Sequence, residues 1–134
     1  MTIVVTAAIV EDHGRYFVTK RQKGVHLEGL WEFPGGKCEP GESLEHCLRR
    51  ELQEELGAEA VIGEEIFTVT HDYPGRSVEL HFLSCSFLNA PVPRLGQEMR
   101  WVAREELKSL KFPPADDELI DVLTRTAGSK PPRE

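Results

Sequence analysis

The segment from Glu42 to Gly57 constrains this chain more than any other. Ser43 offers a hydroxyl suited to capping a helix start, Glu42 and Glu45 add negative charge at that end, and Gly57 supplies a C-terminal stop. The spacing predicts a helix over residues 44–56. At roughly 100° per residue, Leu44, Leu48, Leu52 and Leu56 drift across one apolar face, which the rest of the fold must cover. Glu51 and Glu55 fall at about −20° and +20° from Leu44, on the edge of that face, with Glu54 flanking them at about −80°. Like charges at these spacings cost roughly 0.2–0.5 kcal/mol per pair, and partial burial raises the cost. Arg50 pairs with Glu54 at i,i+4 but cannot neutralise three acids. A hard divalent cation with oxygen ligands, Mg²⁺ by preference, suits the cluster. The alternative is an acidic surface helix without metal.

A length of 134 residues predicts one domain, expected over residues 1–127. The formal net charge of −7 offers no basic stripe to neutralise phosphates in series, which argues against a nucleic-acid polymer as ligand and leaves a metal-bridged nucleotide compatible. Cys38, Cys47 and Cys85 are odd in number and show no CxxC spacing, so they are expected to be reduced thiols, outside any disulfide framework or zinc site. The apolar run from Ile3 to Val10 is short, lacks a basic leader and runs into Glu11-Asp12, as a strand does and a signal peptide or membrane span does not. A cytoplasmic monomer is expected.

Ile3 to Val10 and Arg15 to Arg21 flank an Asp12-His13-Gly14 turn and predict a hairpin. Leu30 to Phe33 leads into a predicted Pro34-Gly35-Gly36 turn. Strands are predicted over Ala60 to His71 and Ser77 to Leu88, separated by Tyr73-Pro74-Gly75, with a further strand over Met99 to Val102. Glu105 to Leu110 and Asp117 to Arg125 are predicted helices, and 128–134 a disordered tail. Strands mixed with a few helices indicate an α/β sandwich.

Gly36, then five residues, Glu42, then seven residues, then Arg50-Glu51-Leu52-Gln53-Glu54-Glu55-Leu56-Gly57-Ala58 resembles the Nudix box, nine fixed positions over 23 residues. Every charged and glycine position matches. Ala58 stands where a larger aliphatic is usual, a change expected to touch packing more than chemistry. Leu30 to Lys37 and Phe112-Pro113-Pro114-Ala115-Asp116 are similar to the MutT-type branch, so the resemblance spans about residues 3–124. It implies an α/β/α sandwich with a central mixed sheet and water attack on a diphosphate bearing Mg²⁺ or Mn²⁺. The product pair implied is a nucleoside monophosphate and pyrophosphate, from 8-oxo-dGTP or a cytidine-type nucleotide, in the service of nucleotide-pool sanitation.

On this reading Glu51, Glu54 and Glu55 are expected metal ligands, joined by the Gly35 carbonyl, where the glycine pair lets backbone approach an ion. Arg50 is read as a strut for Glu51 or Glu54, with direct phosphate contact the alternative. Glu42 is either a ligand or a stabiliser of the helix start. Glu98, in an imperfect match where Arg100 takes the acid's usual place before Trp101, is a candidate ligand or base. Arg21 and Lys37 are candidate phosphate contacts. His26, His46, His71 and His81 lack mutual ligand spacing and are read as structural.

Phe33, Tyr73, Arg76 and Asp116 match the branch's nucleobase pocket. Asp116 stands where the family's 8-oxoguanine reader is asparagine, and Gly75 where an aspartate precedes the pocket arginine. An ionised Asp116 accepts hydrogen bonds only, favouring a base that presents N–H groups. Helix capping is the plain alternative for Asp116, and core packing for Phe33 and Tyr73. Pro74, sixteen residues past the box, also marks an ADP-ribose or nucleoside-diphosphate-sugar hydrolase reading. A non-catalytic Nudix binding module is a third reading, against which the intact box stands.

Overall fold

The computed structural model describes residues 1–24 and 27–129. The first strand, β1 (Thr2–Asp12), organises everything else. One edge pairs in parallel with β6 (Arg76–Phe87) from Thr2↔Ser77 to Val10↔Cys85. Its other edge is shared by two antiparallel partners. β2 (Arg15–Lys20) takes the hairpin end at Glu11↔Tyr16, while β4 (Gly35–Lys37) takes Val5 to Ala7. β5 (Ala60–Tyr73) pairs with β6, and β3 (Trp31–Glu32) and β7 (Met99–Ala103) both pair with β2. The sheet is therefore mixed, in the order β3-β2-β1-β6-β5 with β4 and β7 added at the side.

Strand alternation sorts the core into two layers. Ala7 and Ile9 of β1 and Tyr16 and Val18 of β2 face one side, where they meet Leu107, Leu119, Ile120 and Leu123. Ala8 and Val10 with Phe17 face the other, against Leu48, Leu52 and Leu56 of α1 (Leu44–Leu56). The second layer of helices consists of a 3-10 turn at Arg104–Ser109, another at Pro114–Asp116, and α2 (Asp117–Ser129). This is an α/β fold with a mixed central sheet flanked by helices, as the sequence implied.

The local expectations for α1 hold in detail. The Ser43 Oγ accepts from the His46 amide at 3.1 Å, and Gly57 closes the helix in the left-handed region at φ 58°. Leu48, Leu52 and Leu56 are fully buried, and Ala58 packs into the same layer. At Pro74-Gly75 the chain turns between the paired residues Tyr73 and Arg76, with Gly75 at φ 84°, so Pro74 has a local reason as the first corner of a type II turn.

The glycine pair differs from expectation. Gly35 and Gly36 form strand β4 rather than a turn, because β1 has a free edge there and a residue without a side chain can lie against it. A Cβ on Gly35 would overlap the Thr6 carbonyl. The 3-10 form of Arg104–Ser109 and its extra first residue are smaller departures. α2 runs to Ser129, two residues into the expected tail, and residues 130–134, like His26, lie outside the described residues. Among the described residues, no helix is long and apolar enough to cross a membrane.

Candidate active site

Arg50, in the middle of α1, is the centre of a charge network that reaches back to the helix start at Glu42. Its Nε and Nη2 grip both oxygens of Glu42 at 2.7 and 2.9 Å, Nη1 donates to Glu51 at 3.0 Å, and Nη2 also donates to the Lys37 carbonyl at 3.1 Å. The contact with Glu54 is longer, 3.4 Å. This is strut geometry: a planar fork fixing two carboxylates and the end of β4 at once. Glu42 also accepts from the Glu39 amide, and the Arg50 hydrogen bonds, followed by that one, hold its carboxyl down to about 2.

Glu55, one turn beyond Glu51, is in a different state. Burial first, then the hydrogen bond and charge of Glu51 and the charges of Glu32 and Glu54, push its carboxyl up to about 9. Acids crowded in this way are short of positive charge. The Glu51 carboxylate packs directly against Gly36, where a Cβ would overlap it, so the glycine lets this acid sit close to β4. Donor chemistry, and the cavity that Glu51 and Glu55 line, together fit a divalent cation.

Glu51 and Glu55 line one part of a cavity of about 570 Å³ that runs between β4, β1 and the β5–β6 hairpin. Gly35, Lys37 and Arg21 share this lining, and Phe33, Tyr73, Arg76 and Asp116 line it too. Phe33 is stacked on Phe112 with ring centres 5.2 Å apart and meets Phe82 edge-on, so it is both core and wall. The Arg76 guanidinium lies 5.6 Å from the Tyr73 ring centre, and this pair is exposed at the mouth. Asp116 is only 5% exposed, and burial, then the charges of Glu32 and Asp117, push its carboxyl up to about 7. Burial therefore favours its protonated form, which donates as well as accepts, more than in an ordinary aspartate.

Three expected site residues are not in this lining. Arg50 acts from behind Glu51, and Glu54 lies on the open side of α1 with 59% of its side chain exposed. Glu98, at the start of β7, sits by Lys20 at 3.9 Å and Arg100 at 3.5 Å, away from the cavity wall. Conversely, Glu32, which sequence reasoning passed over, and His71, which it read as structural, do line the cavity. Glu32 accepts from Arg21 at 2.8 Å, and burial raises its carboxyl despite that partner. Its signal was present: an acid between Trp31 and Phe33, two aromatics that bury.

The cysteines also differ from expectation. Cys38 and Cys47 are joined as a disulfide, their Cα atoms 5.2 Å apart, because the end of β4 runs alongside the early part of α1. Cys85 is the free thiol, and burial pushes it up to about 12.

The NUDIX domain model matches residues 5–122. The chain is 35% identical over 130 residues to a CTP pyrophosphohydrolase of Escherichia coli strain K12, covering 96% of both chains. It is 37% identical over 123 residues to an 8-oxo-dGTP diphosphatase of Haemophilus influenzae, covering 90% of both. The solution structure of the E. coli ORF135 protein superposes with a TM-score of 0.85 at 34% identity, covering 98% of this chain and 95% of that one. The chain belongs to the Nudix family. Within it the chain is a MutT-like hydrolase, and enzymes of this family use a divalent metal ion.

Two glycine substitutions separate fold from site. Gly35→Ala should destabilise the protein by about 3 kcal/mol, because the new methyl meets backbone that cannot move aside. Gly36→Ala meets only the end of the Glu51 side chain, so the melting temperature should hold while turnover falls about 10²-fold. Thermal melts and initial rates on the two variants check this, and equal melting temperatures for both would contradict it.

Proposed function

We propose that this protein hydrolyses a nucleoside triphosphate, 8-oxo-dGTP or CTP foremost, to the monophosphate and pyrophosphate. The observation that carries the reading is one cavity walled by a crowded acid pair, Glu51 and Glu55, and also by an aromatic ring and a buried carboxyl, Phe33 and Asp116. The named activities of the relatives support the same substrates. Nucleotide-pool sanitation is the corresponding cellular role.

Glu51 and Glu55, with Glu54 and the Gly35 carbonyl, would hold Mg²⁺. When bound, the ion screens phosphate charge and makes water a better nucleophile. Arg50 fixes the direction of Glu51 through its grip on Glu42. Lys37 and Arg21 offer positive charge to the phosphate tail, Arg21 oriented by Glu32. Proton removal from the attacking water falls to the acids of the cluster, which titrate as a group. Phe33 supplies a wall for the base, Tyr73 and Arg76 close the mouth, and Asp116 reads the base edge.

The test is pyrophosphate and phosphate release from 8-oxo-dGTP, dGTP, CTP, 5-methyl-dCTP and ADP-ribose, with Mg²⁺ and with chelator. Metal-dependent pyrophosphate release from 8-oxo-dGTP or CTP well above the rest is expected. Turnover confined to ADP-ribose, or none that chelator removes, would overturn the reading.

A further inference from the structure

We propose that Cys38 and Cys47 form a reversible dithiol–disulfide site that fastens α1 to strand β4 and is closed by a peroxide. The two residues bracket the loop that leads into α1: Cys38 directly follows β4, and Cys47 is the fourth residue of the helix. The Cys38 amide donates to the Val4 carbonyl at 2.8 Å, which fixes that end on β1. Cys47 is fully buried in the body of α1, its sulfur 3.3 Å from the Thr6 hydroxyl and 3.7 Å from the Gly36 carbonyl. Backbone and packing hold both ends, so the Cα separation of 5.2 Å is a property of the fold. Between them lies Glu42, the anchor of Arg50, so the bond closes a small ring around the contact that orients Glu51.

The chemistry balances with a peroxide as oxidant. Cys38, the partly exposed partner, attacks a peroxide oxygen; the O–O bond breaks, a sulfenic acid forms and one water leaves. The Cys47 sulfur then attacks the Cys38 sulfur, the S–S bond forms, and the departing hydroxide takes a proton to become the second water. Two thiols lose two electrons and two protons, and the peroxide gains them. Cys85 does not compete, since it packs in the α1-side layer, where burial disfavours its thiolate.

The same sulfurs and the Glu42 carboxylate lie within 4.8 Å of one another, an arrangement that could also serve a thiophilic cation. Both Glu42 oxygens are already held by Arg50, so a cation there would have to displace a guanidinium. The observations favour the disulfide.

The experiment uses the whole chain, without substrate, so its failure is distinct from failure of the proposed activity. Protein reduced with dithiothreitol, then treated with hydrogen peroxide in chelator, should lose about 2 Da, with peptide mapping joining Cys38 to Cys47. Its melting temperature should rise by about 5–10 °C and fall again on re-reduction. Cys85→Ser should behave as the parent does, and Cys38→Ser and Cys47→Ser should show neither change. Three titratable thiols after peroxide, gains of about 16 Da in place of the loss, or a bond to Cys85 or to a second chain would overturn the proposal. So would one equivalent of Zn²⁺ protecting both thiols in the reduced parent but not in Glu42→Gln.

Discussion

Glu55→Gln is expected to lower metal-dependent turnover by roughly 10²–10⁴-fold while leaving the protein folded and, in chelator, more heat-stable than its parent. The two effects share one cause. Glu55 is largely buried beside Glu51, with Glu32 and Glu54 adding like charge, and its carboxyl is pushed up to about 9. Without a cation the fold must either hold a proton there or bear the repulsion. Glutamine keeps the shape and removes the charge, so the metal-free fold gains what the metal site loses. The acidic partners of Arg50 are Glu42, Glu51 and Glu54, so the substitution breaks no ion pair of that network. Melting curves in chelator and steady-state rates with Mg²⁺ are the measurements. A variant retaining more than about a tenth of parental turnover would remove Glu55 from the chemistry.

Asp116→Asn should stabilise the protein at pH 8 and change how its base preference responds to pH. The folded-state carboxyl stands at about 7 against an ordinary value of 3.8, chiefly through burial. A raised value means that the folded chain holds a proton the unfolded chain gives up. Its penalty is therefore absent below about pH 4, grows as pH rises toward 7, and is complete above that. At about 1.4 kcal/mol per pH unit the upper bound is about 4 kcal/mol. Asparagine carries no such penalty, so the gap in melting temperature between variant and parent should widen from pH 4 to pH 8 and then level off. The functional half follows from hydrogen-bond inventory. Protonated Asp116 can donate and accept, the carboxylate only accepts, and asparagine does both at any pH. The ratio of kcat/KM for 8-oxo-dGTP over CTP should shift between pH 6 and 8 in the parent and stay level in the variant. An equal shift in both would take base reading away from Asp116.

Much of the candidate site could be read in the chain because its parts lie on one regular element. Caps, leucine period and acid spacing on α1 are local properties, and a helix turns them into directions in space without help from the rest of the fold. Glu51 and Glu55 on the edge of the apolar face, and Arg50 as the strut of Glu51, are consequences of that geometry. The strands of the hairpin were legible from the β-rich runs on either side of Asp12-His13-Gly14, and the structure adds that they separate two buried faces.

What remained hidden depended on which surfaces meet. Gly35-Gly36 has turn propensity by itself and became a strand because β1 offered an edge there, which the backbone of Gly35 approaches more closely than a side chain would allow. Glu32 gains its character from the aromatics and the Asp116 wall around it, contributed by segments some eighty residues apart in the chain. Glu98, an imperfect match to the motif's acid, sits with Lys20 and Arg100, because the Lys20 amide holds the residue before β7 on β2. Cys38 and Cys47 lack any motif spacing and meet because β4 and α1 run side by side. Periodicity and capping determined the helix that carries the acids, and strand propensity with turn residues determined the hairpin. The tertiary structure decided which acids face the cavity, how far burial shifts their protons and which sulfurs touch, because desolvation and contact are properties of neighbours that local sequence does not specify.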